Sequence, residues 1–516
     1  MRGSQMDIGE KRGSEGYGPH GWDRREFLRR AAAAGVVVVP GCMLAACATS
    51  GGGTKSNGKP KGLNTGKRGA SSGAASKVSS GASSGASKPS AAPADNNPLG
   101  VDPTKPLDVF IFKGGYGDQY AKDDETVYHK EFPKASIKHT GTQQLAQKLQ
   151  TRFVNKTPPD VIDNSGDGNL DVATLIAHNQ ITDLTALFNA PSYDTPGKTV
   201  GDTLLPGVKE SGEFDGKPYI LNYVYTVIGV WHSESLFTKR GWEYPKTWDD
   251  MMKLCAEIKK SGMAPWALQG KYSAYTLMLL MPLAAKAGGL DVLKNIDNLE
   301  NSAWKQEPMV DAAAAVSSLV KNGYLLKGTQ GLTHAQCQAH WAQGKAAFIP
   351  CGTWLENELG DVTPKGFDMV VDPTPSLTKS DKLPLSTVQA TAGEGFIVPA
   401  DAKNPNGGAE FMRLMLSKAG SSNFSRNTHA QTTLAGYADK LNFSTAFSSA
   451  RDVVKAAGKN TFNYQFGSWY VKAQGEVETA TGELLAGKID AKKWSEKCQK
   501  AADTTKKDKS IKKYHR

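Results

Sequence analysis

Hydrophobic and polar positions follow two periods along this chain. Short apolar runs bounded by Gly, Pro and Asn read as strands, and apolar residues recurring every three or four positions read as helices. One run stands out. Tyr219 to Trp231 is thirteen residues of mostly Tyr, Val and Ile with no charged side chain, the composition that suits a strand. An ordinary strand has about five or six residues, so this one is long enough to cross between two bodies. The turn signal Asp215-Gly216 precedes it. Pro245-Lys246-Thr247-Trp248-Asp249-Asp250 follows it, with Thr247 as the N-cap of a helix and acidic residues in its first turn. Upstream, Leu107 to Phe112 predicts a strand ending at the glycine-rich Lys113–Asp118. A helix, a second strand from Ser136 to Thr140 and a helix from Gln143 to Phe153 complete a βαβ unit, and Pro158 to Asp163 predicts a third strand. Downstream, Met251, Met252, Leu254, Cys255 and Ile258 have helical spacing, and Pro265 to Leu268 reads as a strand. Tyr272 to Ala287 is apolar and interrupted by Pro282; at sixteen residues it reads as a core helix rather than a membrane span. Strands and helices in alternation predict an α/β fold.

The first hundred residues have another character. Arg24-Arg25-Glu26-Phe27-Leu28 resembles a twin-arginine export signal, and the apolar run Ala31 to Val39 behind it is too short to cross a bilayer of about 30 Å. Leu44-Ala45-Ala46-Cys47 resembles a lipobox, so residues 1–47 are predicted to be an export signal that leaves Cys47 lipidated. Residues 48–104, rich in Gly, Ser, Ala and Lys, predict a disordered tether with a mean reach of roughly 40 Å. Of the formal charge of +11, residues 1–46 carry +2, 47–94 carry +7 and 492–516 carry +7, which leaves −5 for 95–491. The basic balance sits in the ends, including a basic tail at 504–516, and a nucleic-acid groove in the folded body is not expected.

The crossing stretch, from Asp215-Gly216-Lys217 through the apolar strand to Pro245–Asp250, resembles a signature of the extracellular sugar-binding proteins of ABC importers. Trp231-His232 stands where Tyr-Asn is usual. Pro158-Pro159-Asp160-Val161, Gly344-Lys345-Ala346-Ala347-Phe348, Gly352-Thr353-Trp354, Gly393 to Pro399 and Leu484 to Asp490 extend the resemblance over residues 105–503. Asn222-Tyr223, Phe348 to Gly352 and the lipidated tether are similar to the subgroup that binds N-acetylglucosamine and diacetylchitobiose. The resemblance implies a two-lobed periplasmic-binding-protein fold of type II with the ligand cleft between lobes. Residues 105–224 and 396–440 would form lobe 1, and 225–395 and 441–503 lobe 2. It also implies a monomer without cofactor or catalysis, lipid-anchored on the extracytoplasmic face of the membrane. Its partners would be an amino sugar or oligosaccharide, and an ABC permease with a cytoplasmic ATPase. Two alternatives are a binder of cello-, xylo- or malto-oligosaccharides and a tethered secreted carbohydrate-active enzyme.

A sugar needs aromatic faces for its C–H surfaces and amides or carboxylates for its hydroxyls. The candidates at loops facing the expected cleft are Tyr116 after the first strand, and Asn164 and Asp167 after the third. Glu394 stands beside the return strand, with Trp266 and Trp469 as additions. Tyr225 and Trp354 enter through the resemblance, because relatives carry ligand contacts there. His334, Cys337 and His340 lie at i, i+3 and i+6, spread over about 120° of a helix, which rarely converges on one metal ion. Cys337 and Cys351 are expected as a disulfide in an exported protein, with Cys255 and Cys498 as the remaining pair. Beyond the Gly/Ser-rich tether no GxSxG is present, and no HExxH or phosphate-cradling glycine motif occurs.

Overall fold

The computed structural model describes residues 97–166 and 168–516. The export signal, Cys47, the tether up to residue 96 and Asp167 lie outside them. Strands in chain order are β1 (Leu107–Phe112), β2 (Ile137–Thr142), β3 (Val161–Asp163), β4 (Glu213–Phe214), β5 (Lys217–Pro218), β6 (Leu221–Ser233), β7 (Ala264–Trp266), β8 (Ala346–Gly352), β9 (Met369–Asp372), β10 (Val388–Ile397) and β11 (Thr461–Phe462). Nine of them form one mixed sheet along the path β2-β1-β3-β10-β6-β8-β7, with β11 on β10 and β9 on β6; β4 and β5 make a separate hairpin. The parallel pairing of β1 with β2 and β3 follows from the helices Gln119–Glu131 and Leu145–Val154, which supply the crossovers.

β6 is the long strand anticipated from its composition, and every one of its residues is buried. Its first eight residues, Leu221 to Ile228, run antiparallel to β10. From Ile228 it pairs with β8, and from Val230 with β9. β10 likewise pairs with β3 at Phe396 and Ile397 and with β11 at Val388 and Gln389. These two strands therefore connect the β1–β2–β3 end of the sheet to the β7–β8–β9 end. One hydrophobic cluster, containing Val109, Tyr128, Tyr223, Phe396 and Met412, takes all its members from residues 101–224 and 396–430. Thr247 caps the helix Trp248–Lys260 as its sequence predicts, and the helix Ala274–Gly288 continues through Pro282 instead of stopping there. No helix among the described residues is long and apolar enough to cross a membrane.

Three expectations change. Residues 97–104 are not part of a free tether: Val101 is buried, and the Asn97 side chain brackets its backbone with bonds of 2.8 and 2.7 Å. Nor is 504–516 a free tail. The helix Ala491–Lys507 includes its first residues, and Tyr514 is 2% exposed against Phe214 and Trp469. The four cysteines of the described residues are free, buried thiols, so neither expected disulfide is formed. Cys337 and Cys351 sit in an apolar cluster, where burial pushes the Cys337 thiol up to about 12, and Cys351 Sγ accepts from Gln338 Nε2 at 3.7 Å. Cys255 accepts from Trp266 Nε1 at 3.3 Å. Each thiol is used as a small packed side chain.

Candidate functional site

The carboxyl ends of β1 and β3 open into loops 113–118 and 164–170, and β8 ends in the segment 353–359 on the other side of β6 and β10. Strand ends of this kind are where open α/β sheets collect ligands. The two sides touch here. A Cβ added to Gly115 would lie 3.0 Å from Glu358 Cγ, so the β1 loop and the Glu358 side chain are in close contact. The Tyr116 ring packs edge-on to Phe424 at 5.4 Å. Its hydroxyl and Thr353 Oγ1 are buried without a well-aligned hydrogen bond, though the hydroxyls of Thr353 and Thr226 lie within bonding reach of Tyr116. Burial and the nearby Glu394 carboxyl raise the Tyr116 pKa, while the hydroxyls of Thr353 and Thr226 oppose the rise. Tyr116, Thr226, Thr353 and Glu394 thus share one small space, two of them with poorly paired hydroxyls. Poorly paired buried hydroxyls are costly unless a ligand satisfies them.

Glu394 occupies the middle of β10 with φ +49, in the left-handed region that a side chain other than glycine rarely adopts. Such strain persists where the surroundings impose it, and functional sites are the usual place. Its carboxyl hydrogen-bonds to Asp163 at the end of β3. Burial raises Glu394 well above the usual carboxylate range and the neighbouring Asp163 charge adds to it. Asp163, fully buried, is raised by burial to about 6 while Ser165, Glu394 and Tyr120 hold its charged form. The Ser165 hydroxyl donates to Asp163 Oδ1 at 2.5 Å and the Tyr120 hydroxyl to Oδ2 at 3.1 Å. Burial pushes both carboxyls toward the protonated form.

At the exit of β8 the Trp354 ring folds back over Gly352, where an added Cβ would stand 2.1 Å from the indole. Its neighbour Tyr275 meets it edge-on at 6.2 Å and stacks on His334 at 6.0 Å, and Tyr272 meets His334 edge-on at 5.1 Å. His334 Nε2 lies 3.7 Å from Glu358 Oε1. Half-buried rings beside carboxylates and hydroxyls form the mixed surface that a sugar requires.

The structure brings Tyr116 and Glu394 to the Thr353–Trp354 segment, and Trp354 also packs against the apolar cluster that holds Tyr225. Asn164 is spent on its own loop, its side chain binding both the backbone N (2.7 Å) and O (3.0 Å) of Leu170. Trp266 is fully buried in the core, 5.1 Å from Phe348, its N–H satisfied by Cys255. Trp469 is buried beside Tyr514, 5.6 Å away. Tyr225 packs with Val227, Trp231 and Ala390 in an apolar cluster. Although its strand neighbour Thr226 points to the opposite face, Tyr225 shares a small pocket with Thr353, Glu356 and His429. It lines a cavity of ≈ 580 Å³ with Trp469, Ser211, Phe462 and Arg516. Reasoning from sequence passed over Thr226, Asp163, Ser165, Thr353, Tyr275 and Glu358. Thr226 and Thr353 each adjoin a residue that was chosen, and alternation along β6 was the signal that would have brought in Thr226.

Among known proteins, the family described as bacterial extracellular solute-binding protein matches residues 112–421. The chain is 35% identical to the diacetylchitobiose binding protein NgcE of Streptomyces coelicolor over 425 residues, 82% of this chain and 90% of that one. Its fold is similar to apo RafE of Streptococcus pneumoniae, with a TM-score of 0.61 and 17% identity, covering 78% of this chain and 99% of that one. A solved chitin oligosaccharide binding protein gives a TM-score of 0.57 at 20% identity, covering 74% and 93%.

Proposed function

This chain belongs to the bacterial extracellular solute-binding proteins, and from that premise we propose that it captures N-acetylglucosamine or its β-1,4 dimer, diacetylchitobiose, for an ABC importer. The observation that carries the reading is the space shared by Tyr116, Thr226, Thr353 and Glu394 beside Trp354. Trp354 offers a flat apolar face, and the poorly paired hydroxyls of Tyr116 and Thr353 offer hydrogen bonds. The likeness to a diacetylchitobiose binding protein over most of the chain supports the choice of sugar. The mechanism involves no bond making. Ligand bridges the β1 end and the β8 end of the sheet, and capture shifts an equilibrium between open and closed arrangements because only the closed one satisfies both sides. The lobes move about β6 and β10, and a permease with its ATPase receives the sugar.

The hydrolase alternative is disfavoured by the same residues. Asp163 and Glu394 bond directly to each other, whereas glycosidase carboxyls stand about 5 Å or more apart to flank a sugar. A thermal-shift series tests the proposal. Ligand that binds only the folded chain adds about 2.7 kcal/mol at a hundredfold excess over Kd, so diacetylchitobiose should raise Tm above cellobiose, xylobiose and maltose. A larger shift with cellobiose than with the acetylated sugars would move the assignment to another oligosaccharide. Release of N-acetylglucosamine from chitooligosaccharides during incubation would restore the enzyme reading.

We also propose export by the twin-arginine route and anchoring of a monomer through lipidated Cys47, supported by the ordered elements of residues 24–47. Arg24→Lys with Arg25→Lys should retain precursor inside the cell, and Cys47→Ser should end incorporation of labelled lipid. Normal export or continued labelling would overturn the respective half.

A further inference from the structure

Residues 508–516 leave the helix Ala491–Lys507 and run between two parts of the molecule that β6 separates in sequence. On one side is the β4–β5 hairpin, which leads into β6 from the β1 end. Tyr514 packs edge-on to Phe214 at 5.2 Å, and Lys512 pairs with Asp215 at the hairpin's turn. On the other side are residues that follow β6. The Tyr514 ring leans on Trp469 at 5.6 Å, its backbone N donates to the Tyr470 hydroxyl at 2.9 Å, and that hydroxyl donates to its backbone O at 3.3 Å. Arg516 Nε reaches Oδ2 of the fully buried Asp297 at 2.7 Å, and its backbone binds both ends of the Asn298 amide. The segment therefore anchors to 297–298 and 469–470 and grips the hairpin with Tyr514 and Lys512. His515 and Arg516 also line the ≈ 580 Å³ cavity whose wall includes Tyr225 of the crossing strand.

We propose that residues 508–516 are a positioning element for sugar capture, a strap that holds the hairpin half against the other half and so sets the affinity of a site it does not touch. The inference rests on the reading that the chain closes on a sugar. In the arrangement where the strap grips both sides, the β1 loop also meets Thr353 and Glu358 across the cleft. Both contacts favour the same closed state, so losing one shifts the population of the other. Coupling of this kind amounts to about five- to a hundredfold in affinity.

Three variants of the full chain test it: one lacking residues 509–516, Tyr514→Ala, and Tyr514→Phe. The Tyr514 hydroxyl is buried without a partner, so phenylalanine keeps the ring that grips Phe214 and Trp469 and discards nothing that bonds. Calorimetry with diacetylchitobiose and small-angle scattering with and without it are the readouts. The truncated chain and Tyr514→Ala should bind about five- to a hundredfold more weakly. Both should show a larger radius of gyration than the native chain only when free of ligand. Tyr514→Phe should match the native chain in both. Native Kd and native ligand-free dimensions in the truncated chain would overturn the strap. Should truncation prevent folding, the contrast between Tyr514→Ala and Tyr514→Phe decides. If the native chain binds none of the sugars, the functional reading fails, and the ligand-free dimensions of the variants still decide the strap separately.

Discussion

Tyr225 and Thr226 are neighbours on the crossing strand and live in different chemistry. Tyr225 is buried among Val227, Trp231 and Ala390, its hydroxyl beside Thr461. Thr226, equally buried, faces Tyr116, whose hydroxyl has no well-aligned partner. One face of β6 carries Tyr225, which packs in an apolar cluster and lines two cavities; the other carries Thr226 toward Tyr116. The same division separates Trp266 from Trp354 at the ends of the adjacent strands β7 and β8. Residue type does not distinguish a binding aromatic from a core aromatic. Position relative to the strand end and its face does.

The largest effect expected from this contrast is on stability. Trp266→Ala should cost about 3–5 kcal/mol by chemical denaturation, the range for emptying a fully buried aromatic site, with little selective loss of sugar affinity in whatever remains folded. Trp354→Ala should do the reverse, leaving the denaturation midpoint near native while weakening sugar binding by about 2–3 kcal/mol in calorimetry. Equal losses of stability from both substitutions would erase the distinction.

A smaller, more pointed comparison uses the neighbours themselves. Thr226→Val should lower affinity by about 1 kcal/mol, the net worth of one hydrogen bond, whereas Tyr225→Phe should leave Kd unchanged. The opposite ranking would put the sugar on the Tyr225 face. Glu394→Gln tests the carboxyl pair through pH. Glu394 and Asp163 have folded pKa values raised above the unfolded carboxylate value of about 4. The folded state therefore holds more protons than the unfolded one. The pair's contribution to stability is complete below about pH 4 and is lost as pH rises, through about 6 for Asp163 and onward through the raised value of Glu394. The glutamine variant should flatten the fall of Tm over that range, and an unchanged pH profile would show that the two carboxyls do not interact.

Much of this architecture was legible in the sequence because it rests on local patterns. The length of the uncharged run announced β6, and Thr247 announced its helix. The site was legible only in part. Tyr116 was chosen because it follows a strand end, Glu394 because it stands beside the return strand, and Trp354 through the resemblance. Asp163 and Ser165 gave no signal, since their importance comes from Glu394, more than two hundred residues away in sequence, reaching them through the antiparallel pairing of β10 with β3. Tyr225 was chosen through the resemblance, and strand parity across thirteen apolar residues is not visible in a sequence, so Thr226 beside it was passed over; a shift of one position exchanges the faces. The docking of 508–516 was hidden by its charge, for a lysine-rich segment reads as solvated until Tyr514 and Arg516 are seen to find buried partners.

The central claim is that sugar lies on the Thr226 face, between Tyr116 and Trp354. A crystal structure of the chain grown with diacetylchitobiose tests it most directly. A pyranose ring is expected against the Trp354 indole, with hydrogen bonds to the Tyr116 and Thr353 hydroxyls. A disaccharide seated instead in the ≈ 580 Å³ cavity beside Tyr225 and Trp469 would contradict it.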